Sequence, residues 1–333
     1  MKLTLFLKNT FLSSALILFS ALSLGAESSN PFFNDTDFVV FSNQEKSDGI
    51  MNFTIGQDLQ AITADRYLKP FAMNRYETTY RLWHEVLSWA KKHGYHFQNP
   101  GQEGSEGIRG RYPSRDGKYK PVAMVNWYDV IVWCNAYSEK DGLEPCYTYQ
   151  GQVLRDSSDT ASCDLAQCSW TATGYRLPSE SEWEYAARRT LIGLQPGDSA
   201  SGQVNNRGLN SPSVSLESIA WTSLNAKAMQ PVGTAGKSSP LKDVQTLPGS
   251  GNPNGSGLYD MSGNALEWCW DWYGEYIDNS KKEVAQGPSF GDGRVMRGGS
   301  YHDSTLFYCT GDRYAYDPNE AYPFMSFRIA KSQ

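Results

Sequence analysis

The stretch best equipped for chemistry or recognition is Arg297 to Ala330, RGGSYHDSTLFYCTGDRYAYDPNEAYPFMSFRIA. Between RGGSY and FRIA it mixes Tyr and Phe with Asp, Ser, Thr and Gly, and it contains no Lys. Tyr offers large, rigid contact area at small entropic cost, and Ser, Asp and Gly adapt their hydrogen bonding. Lys is depleted at such surfaces. The segment therefore reads as either a catalytic loop or a displayed binding surface. Upstream, GLYDMSGNALEWCWDWYG (Gly257 to Gly274) sets Gly, Asn, Asp and Glu between aromatic anchors, which suits a tight, irregular loop with converging oxygens. Ca2+ takes such ligands. Spacing alone equally allows acids that only make turns and caps.

Other reactive residue types are less pointed. Six cysteines (134, 146, 163, 168, 269, 309) could form disulfides in an oxidising compartment, with Cys163 and Cys168 the first pair to consider. Cys134 and Cys269 lie in aromatic runs, where a buried free thiol is expected. His84, His93 and His96 cluster along the chain, but His84 and His93 are off a shared helical face. They read as solvent-facing or locally bonded, without a metal-ligand pattern.

The elements that must position these residues follow from periodicity. Phe38–Phe41 and Met51–Ile55 read as short strands. Apolar spacing predicts a helix over 79–92, capped by Thr78 or Thr79, and a second over 127–140, capped by Asn126 with Asp129 three residues on. Ser179 and Glu182 form a capping box that starts a third. Residues 98–120 and 151–173 read as loops, and 193–257 as an ordered loop system anchored by Leu209, Ile219, Trp221 and Val232.

The first 26 residues carry Lys2 and Lys8 ahead of an apolar run ending in small residues, the layout of a signal peptide. That run is short of the roughly 20 residues a membrane span needs. Residues 27–36 are expected to be a flexible start and 37–333 a single domain. Of 30 basic residues, two fall in the leader, so the mature chain has 28 against 36 acidic, a net charge of −8. Nucleic acid, which needs a basic surface, is excluded as a partner. An exported protein, periplasmic, secreted or at the cell surface, and monomeric, is the expectation.

Five segments in order, NRYETTY (74–80), NWYDVIVWCNAYS (126–138), GYRLPSESEWEYAARR (174–189), GLYDMSGNALEWCWDWYG (257–274) and RVMRGGSY to FRIA (294–330), resemble the formylglycine-generating enzyme, or sulfatase-modifying factor, family. The resemblance implies an α+β, C-type-lectin-like fold with two main helices, twisted antiparallel strands and extensive ordered loops. It also implies structural calcium held by Asp260, Gly263, Ala265 and Glu267, with Asn206 a remnant of a second site. Enzymes of the family hold copper with two thiolates, in a GGSY-x-C pattern with a second Cys five residues on. Here those positions are Asp303 and Tyr308, and Cys309 lies one beyond. Copper is therefore not expected. Leu266 also replaces the Trp of GNAWEW. The order RGGSY, Cys309, Pro318, SFRIA is similar to the variable proteins of diversity-generating retroelements, whose C-terminal codons are randomised.

On that reading residues 297–330 are a variable segment that binds a protein or glycan. Its contact residues are expected to be His302, Asp303, Ser304, Leu306, Phe307, Tyr308, Tyr314, Tyr316, Asp317, Tyr322 and Phe324, all exposed, with Tyr301, Met325 and Phe327 in the core. The alternative is an oxidase or other modifier of exported proteins using Cys309.

Overall fold

The computed structural model describes residues 33–57, 62–203, 214–236, 247–276, 287–304 and 308–333. The leader 1–26, Asn206, Leu209, Leu306 and Phe307 lie outside the described residues. In chain order the elements are β1 (Phe38–Phe41), β2 (Met51–Gln57), β3 (Ile62–Leu68), β4 (Phe71–Asn74), α1 (Tyr80–Ala90), β5 (Gln102–Glu103), β6 (Val122–Ala123) and α2 (Trp127–Lys140). There follow β7 (Tyr147–Tyr149), β8 (Gln152–Val153), α3 (Thr160–Asp164), β9 (Gln167–Cys168) and α4 (Glu180–Ala187). The chain closes with β10 (Leu266–Trp272), β11 (Arg294–Arg297), β12 (Tyr314–Tyr316), β13 (Met325–Ser326) and β14 (Ala330–Ser332).

Local chemistry sets the helix starts. The Thr79 side chain accepts from Leu82 N, and Asn126 with Asp129 and Ser179 with Glu182 form reciprocal capping boxes. Each cap satisfies N–H groups that the first turn leaves without partners. Every residue of α2 from Trp127 to Ser138 is buried, so the helix runs through the core. Trp133 of α2 stacks on Trp83 of α1 at 5.5 Å between ring centres, and both meet Phe327 edge-on. The two helices pack against the four-stranded sheet β12-β11-β10-β13. In it β10 and β13 run parallel, with Leu266 opposite Met325, and the other pairs are antiparallel. A second sheet, β1-β4-β14, brings residues 330–332 alongside 71–73. The hairpin β2-β3 packs on α4 in a second apolar cluster that includes Met51, Ile55, Trp183 and Val295.

Several expectations need correction. Residues 33–36 of the supposed flexible start are docked: Phe33 packs against Tyr76 at 5.0 Å, and Asp35, 7% exposed, accepts from Thr79 Oγ1 and Arg81. The second half of the supposed tight loop 257–274 is strand β10, whose residues Leu266–Asp271 are all buried. Cys163 and Cys168 form no disulfide, and all six cysteines are free. The Cys163 thiol instead donates to the Asp156 carbonyl at 3.7 Å. The short pieces β5, β8, β9 and α3 interrupt the stretches 98–120 and 151–173, whose polar composition reads as loop, and β3, β4 and β7 are further strands where no element was expected. Cys134 and Cys269 are buried, as are Tyr301, Met325 and Phe327, in agreement with the residue pattern. Among the described residues no helix is long and apolar enough to cross a membrane.

Candidate functional site

The tail leaves β11 through Gly298 and Gly299, with φ of 97° and 68°. Glycine adopts this left-handed region without the penalty a Cβ carries. At Gly298 a Cβ would also press on the Trp183 ring at 3.2 Å. The turn that follows is closed by Asp303, whose Oδ2 accepts from Ser300 N at 2.8 Å and Ser300 Oγ at 2.9 Å. Further on, the Pro318 carbonyl accepts from Trp127 N at the start of α2, and the Tyr322 carbonyl accepts from Met124 N. At Pro318 and Tyr322 the segment is thus fastened to the scaffold through backbone, whereas Asp303 braces its turn and Arg313 and Arg328 fasten it to the scaffold through side chains.

Four rings form a continuous surface. Phe324 lies between His302 at 6.2 Å and Tyr322 at 5.3 Å, stacked on both, and Tyr316 meets Tyr322 and Phe324 edge-on at 6.3 Å. His302, Ser304, Asp317 and Tyr322 are exposed, whereas Asp303, Tyr314, Tyr316 and Phe324 are half-buried. Tyr314, Tyr316 and Phe324 rest on the main core. Burial, then the Asp303 and Glu320 carboxylates, raise the Tyr316 phenol above its ordinary value, so it stays a neutral donor at physiological pH. Glu320 also touches the surface directly, its Oε1 accepting from Tyr322 Oη at 3.0 Å.

Tyr308 does not belong to this surface. It is 2% exposed and packs with Ala200, Ile219 and Ala220, while its hydroxyl donates to the Asp303 and Ser300 carbonyls. A ring between Phe307 and Cys309 reads like its neighbours in sequence, and only the packing of Ala200, Ile219 and Ala220 over it reveals its role.

Cys309 is configured as a neutral thiol. Its Sγ donates to the Asp198 carbonyl at 3.1 Å, and burial followed by the Asp312 and Asp198 charges pushes its pKa up to about 11. Reactive cysteines have lowered values. The position five residues after Asp303 is the buried Tyr308, so no second thiol completes a pair there.

The calcium expectation meets mixed geometry. Asp260 (φ 53°) is fully buried, its Oδ2 accepts from Gly233 N at 2.5 Å, and its Oδ1 has no partner among the described residues. Burial raises the Asp260 carboxyl to about 6. Glu267 is committed elsewhere: Arg328 forks onto both its oxygens at 2.7 and 2.6 Å, and Trp183 Nε1 donates at 2.8 Å. Gly263 N donates to the Gly298 carbonyl and Ala265 N to Glu77 Oε1 at 3.0 Å. Among the described residues no three His, Cys, Asp or Glu side chains converge as a metal set. Glu77, from NRYETTY, was missed as part of this cluster. Its sequence neighbours mark it as a helix-entry residue, and only the fold brings it against Asn264 and Ala265.

A family profile described as the sulfatase-modifying factor enzyme 1-like domain matches residues 46–333. The chain belongs to that family. It is 29% identical over 274 residues to the chaperone protein LppX of Paenibacillus barcinonensis, covering 80% of this chain and 81% of that protein. It is 36% identical over 147 residues to the formylglycine-generating enzyme of Streptomyces coelicolor, covering 43% of this chain and 40% of the enzyme. Among solved structures, Treponema denticola variable protein 1 superposes with a TM-score of 0.63 at 28% identity, over 89% of this chain and 95% of that one. CarF superposes with a TM-score of 0.60 at 26% identity, over 90% and 98%. The mixed α+β fold is accordingly the C-type-lectin-like fold of the formylglycine-generating-enzyme type.

Proposed function

We propose that this is a non-catalytic exported protein that captures a protein or glycan ligand on the surface formed by His302, Tyr316, Tyr322 and Phe324, with Asp303, Ser304, Tyr314 and Asp317 at its edges. The observation that carries this reading is the ring chain seated on strand-anchored backbone. Rings already held by packing lose little further freedom on binding, so more of the contact free energy appears as affinity. The likeness to a variable protein and the neutral state of Cys309 support it further.

The test is a glycan array and a displayed peptide library probed with the full chain. For any binder recovered, Tyr322→Ala and Tyr316→Ala are expected to weaken retention at least tenfold, roughly the scale of an aromatic hot spot. Tyr322, 39% exposed, should leave the melting temperature nearly unchanged. Retention that survives both substitutions would defeat the proposal. The alternative, an oxidase using Cys309, predicts aldehyde on a cysteine peptide incubated with the protein and copper, detected by mass.

Calcium is proposed as a scaffold ion at Asp260, Gly263, Ala265 and Glu267. The partnerless Asp260 Oδ1 supports it, as does the excess of three buried carboxylates, Glu77, Asp260 and Glu267, over the one Arg328 guanidinium. A ligand present at a hundred times its Kd stabilises a fold by about 2.7 kcal/mol. Melting in EDTA should therefore fall several degrees below melting in millimolar calcium, and Asp260→Asn should remove the difference. Equal melting points would exclude the ion.

A further inference from the structure

At the end of β10 away from the 260–265 turn lies a cavity of about 440 Å³ lined by Trp170, Trp270, Trp272 and Arg294, with Gln167 and Ser289 among its polar residues. Arg294 is the unusual member. Its guanidinium is sandwiched between Trp127 at 3.6 Å and Trp272 at 3.5 Å, so both faces are covered and only the edges can bond. Nη1 donates to the Trp270 carbonyl at 2.8 Å. Nε is buried and has no hydrogen-bond partner among the described residues. Arg294 is 2% exposed and among the described residues has no ion-pair partner, whereas the buried Arg176, Arg297 and Arg328 are each paired with a glutamate. Burial lowers its pKa to about 9, which leaves it charged at neutral pH.

Two carboxylates lie nearby without neutralising it. Asp271 spends Oδ2 on Glu180 N at 2.6 Å and Oδ1 on Gly287 N at 2.5 Å. Asp164 accepts from Tyr128 Oη and is exposed at the rim. A buried donor left without a partner costs about 1–3 kcal/mol, more when charged. A planar guanidinium edge matches a carboxylate in its own plane. Neither the aromatic tail surface nor the calcium turn uses this site.

We propose that the cavity binds a hexuronate, a sugar acid whose carboxylate meets the Arg294 edge, whose C–H face lies against indole, and whose hydroxyls reach Gln167 and Ser289. The cavity volume falls within the range of small-molecule sites. Leu165, Gln167 and Ser289 line the cavity and are exposed, so the site is open to solvent and the sugar can be either free or the end residue of a polysaccharide.

The experiment is titration of the full chain with D-glucuronate, followed by calorimetry and tryptophan fluorescence. D-glucose, acetate and a short peptide with a free C-terminal carboxylate serve as competitors, and an oligosaccharide ending in glucuronate separates the polymer source from the free acid. Glucuronate should bind, and each competitor should be at least tenfold weaker. Arg294→Lys should lower affinity tenfold or more. Because that change could disturb the Trp sandwich, Ser289→Trp provides a second variant: it fills the cavity from an exposed position and should abolish binding with an unchanged melting temperature. No glucuronate binding, equal binding of glucose or peptide, or full binding by the folded Ser289→Trp protein would overturn the assignment.

Discussion

Replacing Arg328 with Leu is expected to destabilise the protein by about 3–5 kcal/mol, the range for breaking one side of a buried ion pair. The guanidinium is completely buried and makes five hydrogen bonds: two to Glu267, and the others to the carbonyls of Asn74, Arg75 and Tyr259. Without it, Glu267 keeps only the Trp183 N–H and faces the buried Glu77 and Asp260 carboxyls. Glu77 is already held well above the usual carboxylate range by burial and by those two neighbours. Thermal melting should drop by on the order of 10 °C for a chain of this size. The double variant Arg328→Leu/Glu267→Leu should recover much of the loss, because the desolvation of both charges disappears with them. A single variant that melts within a degree or two of the parent would mean that the pair is not formed.

The second large effect is in pH. Asp271 is fully buried, and burial together with the Glu180 charge raises its carboxyl from 3.8 to about 7. A group with a raised folded-state pKa binds its proton more tightly in the native state than in the unfolded chain. Its contribution is complete below about pH 4, declines as the unfolded chain releases its proton, and is gone above about pH 7. The span is on the order of 4 kcal/mol at 1.36 kcal/mol per unit. Denaturant unfolding should accordingly show Asp271→Asn to be costlier at pH 4.5 than at pH 8, with the pH slope between them shallower than in the parent. Parallel stability profiles for the two proteins would refute the assignment.

How far the residues alone carry the fold differs by element. The helix starts were legible because Thr79, Asn126 and Ser179 act within three residues, and the apolar spacing of α1 and the burial of α2 are local properties. The strand β10 does alternate, Leu266, Trp268, Trp270 and Trp272 against Glu267, Cys269 and Asp271, but its two acids, directly after the Gly- and Asn-rich 257–264 run, read as a continuation of the loop. The short pairs β5-β6 and β7-β9 were unreadable because two or three residues carry no period. In the tail, the aromatic composition singled out a segment in which Tyr316, Tyr322 and Phe324 do meet. Tyr308 and Phe324 have the same character in sequence. One is covered by Ala200, Ile219 and Ala220 and the other is half-open, a difference decided in the case of Tyr308 by residues 88 to 108 positions earlier in the chain. Glu77 and Asp260 are likewise neighbours only through the fold.

The pairing of β14 with β4 bears on how the protein is made. Ala330 lies opposite Met73 and also bridges to Arg176, so one short strand joins parts of the chain separated by more than 250 residues in sequence. Contacts of such long range are slow to form, since the loop must close before they contribute. They also cannot form during synthesis until residues 330–332 have emerged. A nascent chain of this kind stays incomplete while it grows, and a chain passed through a narrow pore in an extended state would acquire its last strand only on the far side.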